Sequence, residues 1–211
     1  MAGKLRLEGN GGYYSGFESQ ESLIENSIWK LPAADGSQGQ FMTSNGSYTL
    51  SWASSGYTKF VGVGGYANLG AAIAAASAGD SILVTQSETI SAPLDINVNN
   101  IKITFMPNVV ISVDTGTADG VIISGTSVTV EGLQLEATHA ATMVNLLRIS
   151  GSDNNVEKTR LRVNNAGLTV TNGVNLEGDF NYVIASARVT LGVYTNAVVD
   201  SGTDNDYGIR G

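Results

Sequence analysis

The sequence predicts an all-β protein whose larger, C-terminal part is a solenoid of stacked β-coils. A phrase of apolar strand residues closed by a glycine turn occurs four times at intervals of about 25 residues, with anchor glycines Gly125, Gly151, Gly178 and Gly202. An asparagine stands three positions after the glycine in the last three copies. The composition agrees, because 26 glycines and only 3 prolines suit many tight turns between short strands.

Charge and cysteine content exclude several classes of function. The formal net charge is −8 and most of the acidic excess follows residue 60, so the chain lacks the cationic face that nucleic-acid binding needs. Without cysteine, neither disulfides nor thiolate metal sites can form. The N-terminus shows no signal peptide, and no apolar run approaches the roughly 20 residues of a spanning helix. We therefore predict no nucleic-acid partner, no membrane insertion and synthesis in a cytoplasm.

Residues 1–60 are predicted to form a small β-rich module. Residues 4–9 suit a first strand, and Asn45-Gly46 between 41–44 and 47–52 predicts a hairpin with a type I′ turn. Alternation along these strands places four apolar side chains on one face, namely Phe41, Tyr48, Leu50 and Trp52. A lone ribbon cannot leave such a face bare. We expect another subunit or the body of an assembly to cover it; packing on the chain's own solenoid is the alternative.

Within this module, several spaced sequence elements follow one another between residues 27 and 53. They are Trp29-Lys30-Leu31-Pro32, a small-residue loop ending in Asp35-Gly36, then Gly39-Gln40, Thr43-Ser44-Asn45-Gly46-Ser47 and Leu50-Ser51-Trp52. This order resembles an N-terminal module of bacteriophage fibre proteins. The resemblance implies a structural virion protein, trimeric, without catalytic residues in this part. The residues implied at the attachment or trimer interface are Trp29, Leu31, Phe41, Tyr48, Leu50 and Trp52.

Residues 61–211 form the second predicted domain, with the boundary near Phe60 and a short helix near 68–78. Asn68 suits the N-cap of this helix and Gly79 the position after its last turn. Three residues share its apolar face: Leu69, Ile73 and Ala76. Such a helix before a strand at 80–84 resembles the start of a right-handed single-stranded parallel β-helix of the pectin-lyase-like kind. There the helix caps the first coil, whose apolar interior and strand edges need cover.

The coils follow the helix, and about six of them fit residues 80–211 at the repeat interval. At about 4.8 Å per coil, the stack would be on the order of 30 Å long. Strands at 82–84, 101–105 and 109–113 precede the four phrases. Valines five residues after the anchor glycines are predicted to form an interior stack: Val130, Val156 and Val183. Asparagines three residues after them are predicted to form a ladder, inside the coil or at its corner: Asn154, Asn181 and Asn205.

The serious enzymatic option is a pair of carboxylates that cuts a glycan. Glu131 and Glu157 each lie six residues after an anchor glycine, so stacking would bring their carboxyl groups near the roughly 5 Å separation of a retaining glycosidase. The alternative is that both glutamates are ordinary solvent-exposed charges without a catalytic role. Arg160 and Arg162 are close enough in sequence to neutralise Glu157. Two weaker pairs are Asp114 with Asp119 and Glu177 with Asp179.

Metal and histidine chemistry receive less support. His139 is the sole histidine, so a zinc site or a His-dependent nucleophile is not expected, and we predict a bystander role. Oxygen ligands for calcium cluster at Asp200, Asp204, Asn205 and Asp206, but without EF-hand or nonapeptide spacing. We predict no metal and no cofactor.

Two functional hypotheses follow. The first is a phage virion protein, a homotrimeric tail fibre, spike or head-fibre subunit that docks on other virion proteins and presents its β-helix to a host-surface glycan or protein. The second is a small tailspike depolymerase that cleaves a bacterial surface polysaccharide with Glu131 and Glu157. A bacterial surface adhesin is a weaker third option, since no signal peptide is visible.

Overall fold

The computed structural model describes residues 4–8, 14–18, 30–36, 40–44, 47, 49–139 and 142–210. Strands make up 55% of the structure, and helix is almost absent. The chain divides into two compact units, Met1–Ala53 and Ser54–Gly211, which are described separately below. This division lies before Phe60, because the strand that contains Phe60 is hydrogen-bonded into the second unit.

The first unit contains two small sheets. In one, β1 (Lys4–Glu8) and β2 (Tyr14–Glu18) pair antiparallel. In the other, β3 (Gln40–Ser44) lies beside β4 (Leu50–Ser54). The Leu50 N–H donates to the Lys30 carbonyl oxygen at 2.8 Å, which adds the chain before the Pro32 loop to this ribbon. The Asn45-Gly46 turn itself lies outside the described residues.

The second unit is a parallel β-solenoid of about six turns, which confirms the predicted fold class. Its strands stack in three columns. The first column consists of β5 (Lys59–Val61), β6 (Ser81–Val84), β9 (Lys102–Phe105) and β12 (Thr129–Glu131). The second consists of β7 (Glu88–Ile90), β10 (Ile111–Val113) and β13 (Gln134–Ala137). The third consists of β8 (Leu94–Ile96), β11 (Val121–Ile123) and β14 (Met143–Ile149).

The later coils are nearly continuous strand. β15 (Asn155–Leu176) and β16 (Tyr182–Asp200) each run through all three columns, and β17 (Asp206–Arg210) closes the described stack. Residues five after the anchor glycines pair in register, Val130 with Val156 and Val156 with Val183, and all three are fully buried. The predicted interior valine stack is therefore present, and it belongs to a core of aliphatic residues that fills the solenoid.

A short helix, α1 (Leu69–Ala74), precedes the first full coil. Asn68 caps it as predicted, since its side-chain oxygen accepts from the Ala71 N–H at 2.8 Å. The Glu88 carboxylate accepts from the Leu69 N–H at 3.1 Å, and its partial burial raises the pKa of Glu88. The helix is shorter than the predicted span near 68–78. It ends early because the Asp80 carboxylate binds the Ser77 N–H at 2.7 Å and turns the chain toward β6.

Asp80 fastens this first turn of the second unit. Its carboxylate contacts Lys59 Nζ at 2.8 Å and accepts from the Thr58 hydroxyl at 2.7 Å, so it joins β5 to the end of α1. The hydrogen bond from Lys59, then those from the Ser77 N–H and the Thr58 hydroxyl, lower the pKa of Asp80 from 3.8 to about 2.

An acid-sensitive contribution to stability follows from this lowered pKa. The contribution of Asp80 is complete above pH 3.8 and is lost as the pH falls from 3.8 toward 2, because the folded chain then binds the proton less readily than the unfolded chain. We expect Asp80→Asn to lower the free energy of unfolding at pH 7 by about 1 kcal/mol, the ion pair being partly screened by solvent. Urea titrations at several pH values measure this. Asp153→Asn, an exposed carboxylate, is the control; a parallel loss in both variants would contradict the assignment.

Candidate functional site

The repeated turns between the third and first columns determine what the outer face of the solenoid presents. A Cβ atom added to Gly151 would overlap the backbone carbonyl of Gly125, one added to Gly178 that of Gly151, and one added to Gly202 that of Gly178. The anchor glycines are thus required for close approach of stacked backbones. In the preceding coil Val98 occupies the equivalent place, and its carbonyl oxygen lies 2.7 Å from a Cβ built on Gly125.

The predicted asparagine ladder lies inside this corner. The Val128 N–H donates to Asn154 Oδ1 at 2.8 Å, the Asn154 N–H to Asn181 Oδ1 at 3.0 Å, and the Asn181 N–H to Asn205 Oδ1 at 2.8 Å. Asn154 and Asn181 are each 1% exposed. Each asparagine therefore satisfies a buried backbone donor of the coil before it, which side-chain stacking alone would not do.

The residue two positions after each anchor adopts the left-handed backbone conformation, which was not predicted from the sequence. The φ angles of Ser127, Asp153, Phe180 and Asp204 lie between 55° and 58°, and Asn100 in an earlier coil has 54°. Asparagine and aspartate tolerate this conformation, and their recurrence at that phase was the available signal. Phe180 is the exception, because a bulky side chain in this region is a true outlier.

The two glutamates of the enzymatic hypothesis are stacked in register, Glu131 beside Glu157. Glu131 is ion-paired with Lys158 and lies 3.5 Å from Lys102 Nζ, and the Lys158 hydrogen bond lowers the pKa of Glu131. Glu157 accepts from Asn155 Nδ2 at 3.0 Å. A general acid needs a raised pKa, so the surroundings of Glu131 suit a fixed surface charge better than proton donation.

Arg160 and Arg162, expected beside Glu157, stand in register with Gln134 and Glu136 on the second column. The sequence reading thus missed the lysines that neutralise the glutamate stack. Lys158 has φ of 53° at a β-bulge, and this local irregularity brings its ammonium group back to the preceding coil.

The carboxylates of the two weaker pairs each bind other partners. Asp114 Oδ1 lies 2.5 Å from His139 Nδ1, so the sole histidine joins two successive coils at a corner. Arg148 bridges Asp119 at 3.0 Å and Glu177 at 2.9 Å. Asp179 instead accepts from the Thr203 N–H at 2.7 Å.

A second amide ladder, not foreseen from the sequence, lies along the third column. Asn145 donates to Asp119 Oδ1 at 2.7 Å, Asn172 to Asn145 Oδ1 at 2.8 Å, and Asn196 to Asn172 Oδ1 at 3.0 Å. Its signal was the recurrence of asparagine at about the repeat interval, outside the glycine phrase. Asn145 is 4% exposed, Asn172 is half-buried and Asn196 is exposed, so the ladder begins inside the coil and reaches solvent at its last member.

The residues that were considered as calcium ligands belong to the last turn of the solenoid. Asp200 Oδ1 accepts from the Gly202 N–H at 3.1 Å and from Asn205 Nδ2 at 2.8 Å. Among the residues that the structure describes, no group of three or more acidic, histidine or cysteine side chains could hold a metal ion. In the same part of the chain, no helix has the length and apolar character needed to cross a membrane.

The predicted attachment residues lie in the first unit, except that Trp29 and Tyr48 fall outside the described residues. Leu31 and Phe41 are exposed, at 71% and 53%. Leu50 and Trp52 are half-buried. The Trp52 indole donates to the Ala34 carbonyl oxygen at 2.8 Å, and a Cβ built on Gly36 would lie 2.7 Å from the indole ring. The Asp-Gly loop and the final tryptophan are thus parts of one contact.

Comparisons with models of protein families, with curated proteins and with solved structures found no match to this chain.

Proposed function

We propose that this chain is a structural virion protein of a bacteriophage, a trimeric tail fibre, spike or head-fibre subunit located in the virion. The order of motifs around Leu31, Gly36 and Trp52 carries this proposal. The supporting contact is the packing of Trp52 over Gly36. It shows that two elements of the fibre-like motif, which are separated in sequence, contact each other in the structure. The exposed Leu31 and Phe41 side chains offer apolar surface to another copy or to a neighbouring virion protein.

In this proposal the second unit is a right-handed β-helix that is displayed toward the host surface. A stack of registered parallel strands is a rigid spacer, and its outer ion pairs keep it soluble. Adhesion then depends on many weak contacts, which a trimer on a particle multiplies by raising the effective concentration. The docking partners are other virion proteins, and the target is a glycan or protein of the host surface.

The test is the mass of the full chain in solution. We expect light scattering to give a trimer at micromolar concentration, and Leu31→Ser with Phe41→Ser to shift it toward monomer by weakening apolar contacts between copies. Val63→Ser, which changes an exposed apolar residue of the second unit, is the matched control and should leave the trimer intact. A wild-type monomer would overturn the proposal.

Depolymerase activity is the second candidate, because Glu131 and Glu157 do stack in register. Incubation with purified host polysaccharide separates the two functions. Adhesion alone predicts no released oligosaccharide, since Lys158 and Lys102 hold Glu131 ionised. Release that is abolished by Glu131→Gln or Glu157→Gln would replace adhesion with catalysis.

A further inference from the structure

The outer face of the first column changes character in the coil that follows Gly178. In the two preceding coils, the residues two, four and six positions after the anchor are polar: Ser127, Thr129, Glu131, Asp153, Asn155 and Glu157. In this coil they are Phe180, Tyr182 and Ile184, two aromatic residues followed by an aliphatic one, which together we call the aromatic row. Their exposures are 58%, 39% and 38%, whereas Val183 between them is fully buried. The row is therefore an apolar strip on a face that is polar in the two preceding coils.

The first member of the row works against local stability. Phe180 has φ of 57°, a conformation that phenylalanine rarely adopts, while Asp153 and Asp204 occupy the same position in the coils on either side. A strained residue persists where the surrounding structure imposes it, and such residues cluster at binding sites. The exposed ring gains little from packing, so its presence indicates a purpose other than folding.

Aspartates occupy the positions stacked beside both aromatic residues. The Asp153 N–H donates to the Asp179 carbonyl at 3.1 Å and the Phe180 N–H to that of Thr203 at 3.0 Å, so Phe180 lies between the turns of Asp153 and Asp204. Tyr182 stands in register between Asn155 and Asp206. The side chains of Asp153, Asp204 and Asp206 are exposed, and none forms an ion pair within the described parts of the chain.

We propose that the aromatic row and these three aspartates bind an amino-sugar unit of a surface glycan through its ammonium group. An ammonium ion is attracted both to the faces of aromatic rings and to carboxylates, whereas a neutral sugar offers the carboxylates hydroxyl donors but no charge to pair with them. A protein partner would need about 800 Å² of complementary surface, which a strip of three apolar side chains bordered by charge does not supply. This inference rests on the proposed adhesive function and names its ligand class.

Two hexasaccharides with the same backbone test the proposal by calorimetric titration of the full chain. One is the hexamer of glucosamine, cationic at pH 6, and the other its neutral N-acetylated form. We expect the cationic hexamer to bind about tenfold more tightly than the neutral one, and its affinity to fall as salt is added. Equal affinities, or binding of neither hexamer, would overturn the proposal.

Variants locate the binding and separate it from folding. Tyr182→Ser, and Asp204→Asn with Asp206→Asn, should each weaken binding of the cationic hexamer about tenfold. Phe180→Asn should weaken binding while raising Tm, since asparagine suits the left-handed conformation better. Val144→Ser, an exposed apolar change on the third column, is the control and should alter neither quantity.

Other occupants give distinct results. Tighter binding of a lysine hexapeptide through the same residues would assign the row to a basic peptide, and a change in molecular mass on Tyr182→Ser would assign it to contact between copies. Either outcome overturns the glycan assignment. A trimer that depends on Leu31 and Phe41 would still support the proposed function, so the two can fail separately.

Discussion

Replacement of Gly178 by alanine is expected to lower the free energy of unfolding by about 3 kcal/mol or more. The added Cβ would overlap the carbonyl group of Gly151 and would lie 2.9 Å from the Ser150 carbonyl oxygen. These are backbone atoms, and the Gly178 N–H is itself bonded to the Ile149 carbonyl at 3.2 Å, so no side chain can rotate to make room. The two coils must separate locally. Denaturant titration followed by circular dichroism measures the loss.

The same substitution at Gly70 provides a control with the opposite expected sign. Gly70 lies inside α1, and a Cβ there would make ordinary contacts of 3.5 Å with Leu94 and Asn68. Alanine restricts the unfolded chain and favours helix, so Gly70→Ala should raise the free energy of unfolding by up to about 1 kcal/mol. Similar effects of the two substitutions would show that close stacking at the anchor is unimportant.

Replacement of Asn154 by alanine is expected to cost about 2 kcal/mol. The Val128 N–H would lose its acceptor while remaining buried, and an unsatisfied buried donor loses the full free energy of its former hydration. Hydrogen exchange gives a specific readout, because the Val128 amide proton should then exchange faster than its neighbours. Denaturant titration gives the total loss.

Asn175→Ala is the matched control for this prediction. Asn175 donates to Glu177 at 2.9 Å on the solvent side, so its removal should change stability by less than about 0.5 kcal/mol. If both variants lost equal stability, or if Val128 exchange were unaffected in Asn154→Ala, the ladder would not have the role that its geometry indicates.

The repeats were readable from the sequence because their physical causes are local and periodic. Close backbone approach demands glycine, and a buried column demands a valine at the same phase in each coil, as at Val130, Val156 and Val183. The cap of α1 was readable for the same reason, since Asn68 acts within one turn. These features recur at fixed spacing and need no knowledge of distant neighbours.

Other features depend on contacts that spacing does not encode. The hydrogen-bond partner of Glu131 is Lys158, which reaches it from a bulge in β15. The early end of α1 depends on Asp80, whose interactions with Thr58 and Lys59 span two strands. The pairing of Trp52 with Gly36 likewise joins a strand to a loop. Sequence patterns indicated these residues but not their partners.

The anchor glycines also bear on how such a chain can change over evolutionary time. Each anchor sits on the one before it, while the register of β15 and β16 shifts between Asn164 and Thr169, at the corner between the second and third columns. Insertions and deletions can be absorbed at that corner without disturbing the anchors. Whole repeats can also be duplicated or lost between two anchors, each altering the length of the stack by about 4.8 Å. The length of the solenoid can therefore evolve in steps of one coil.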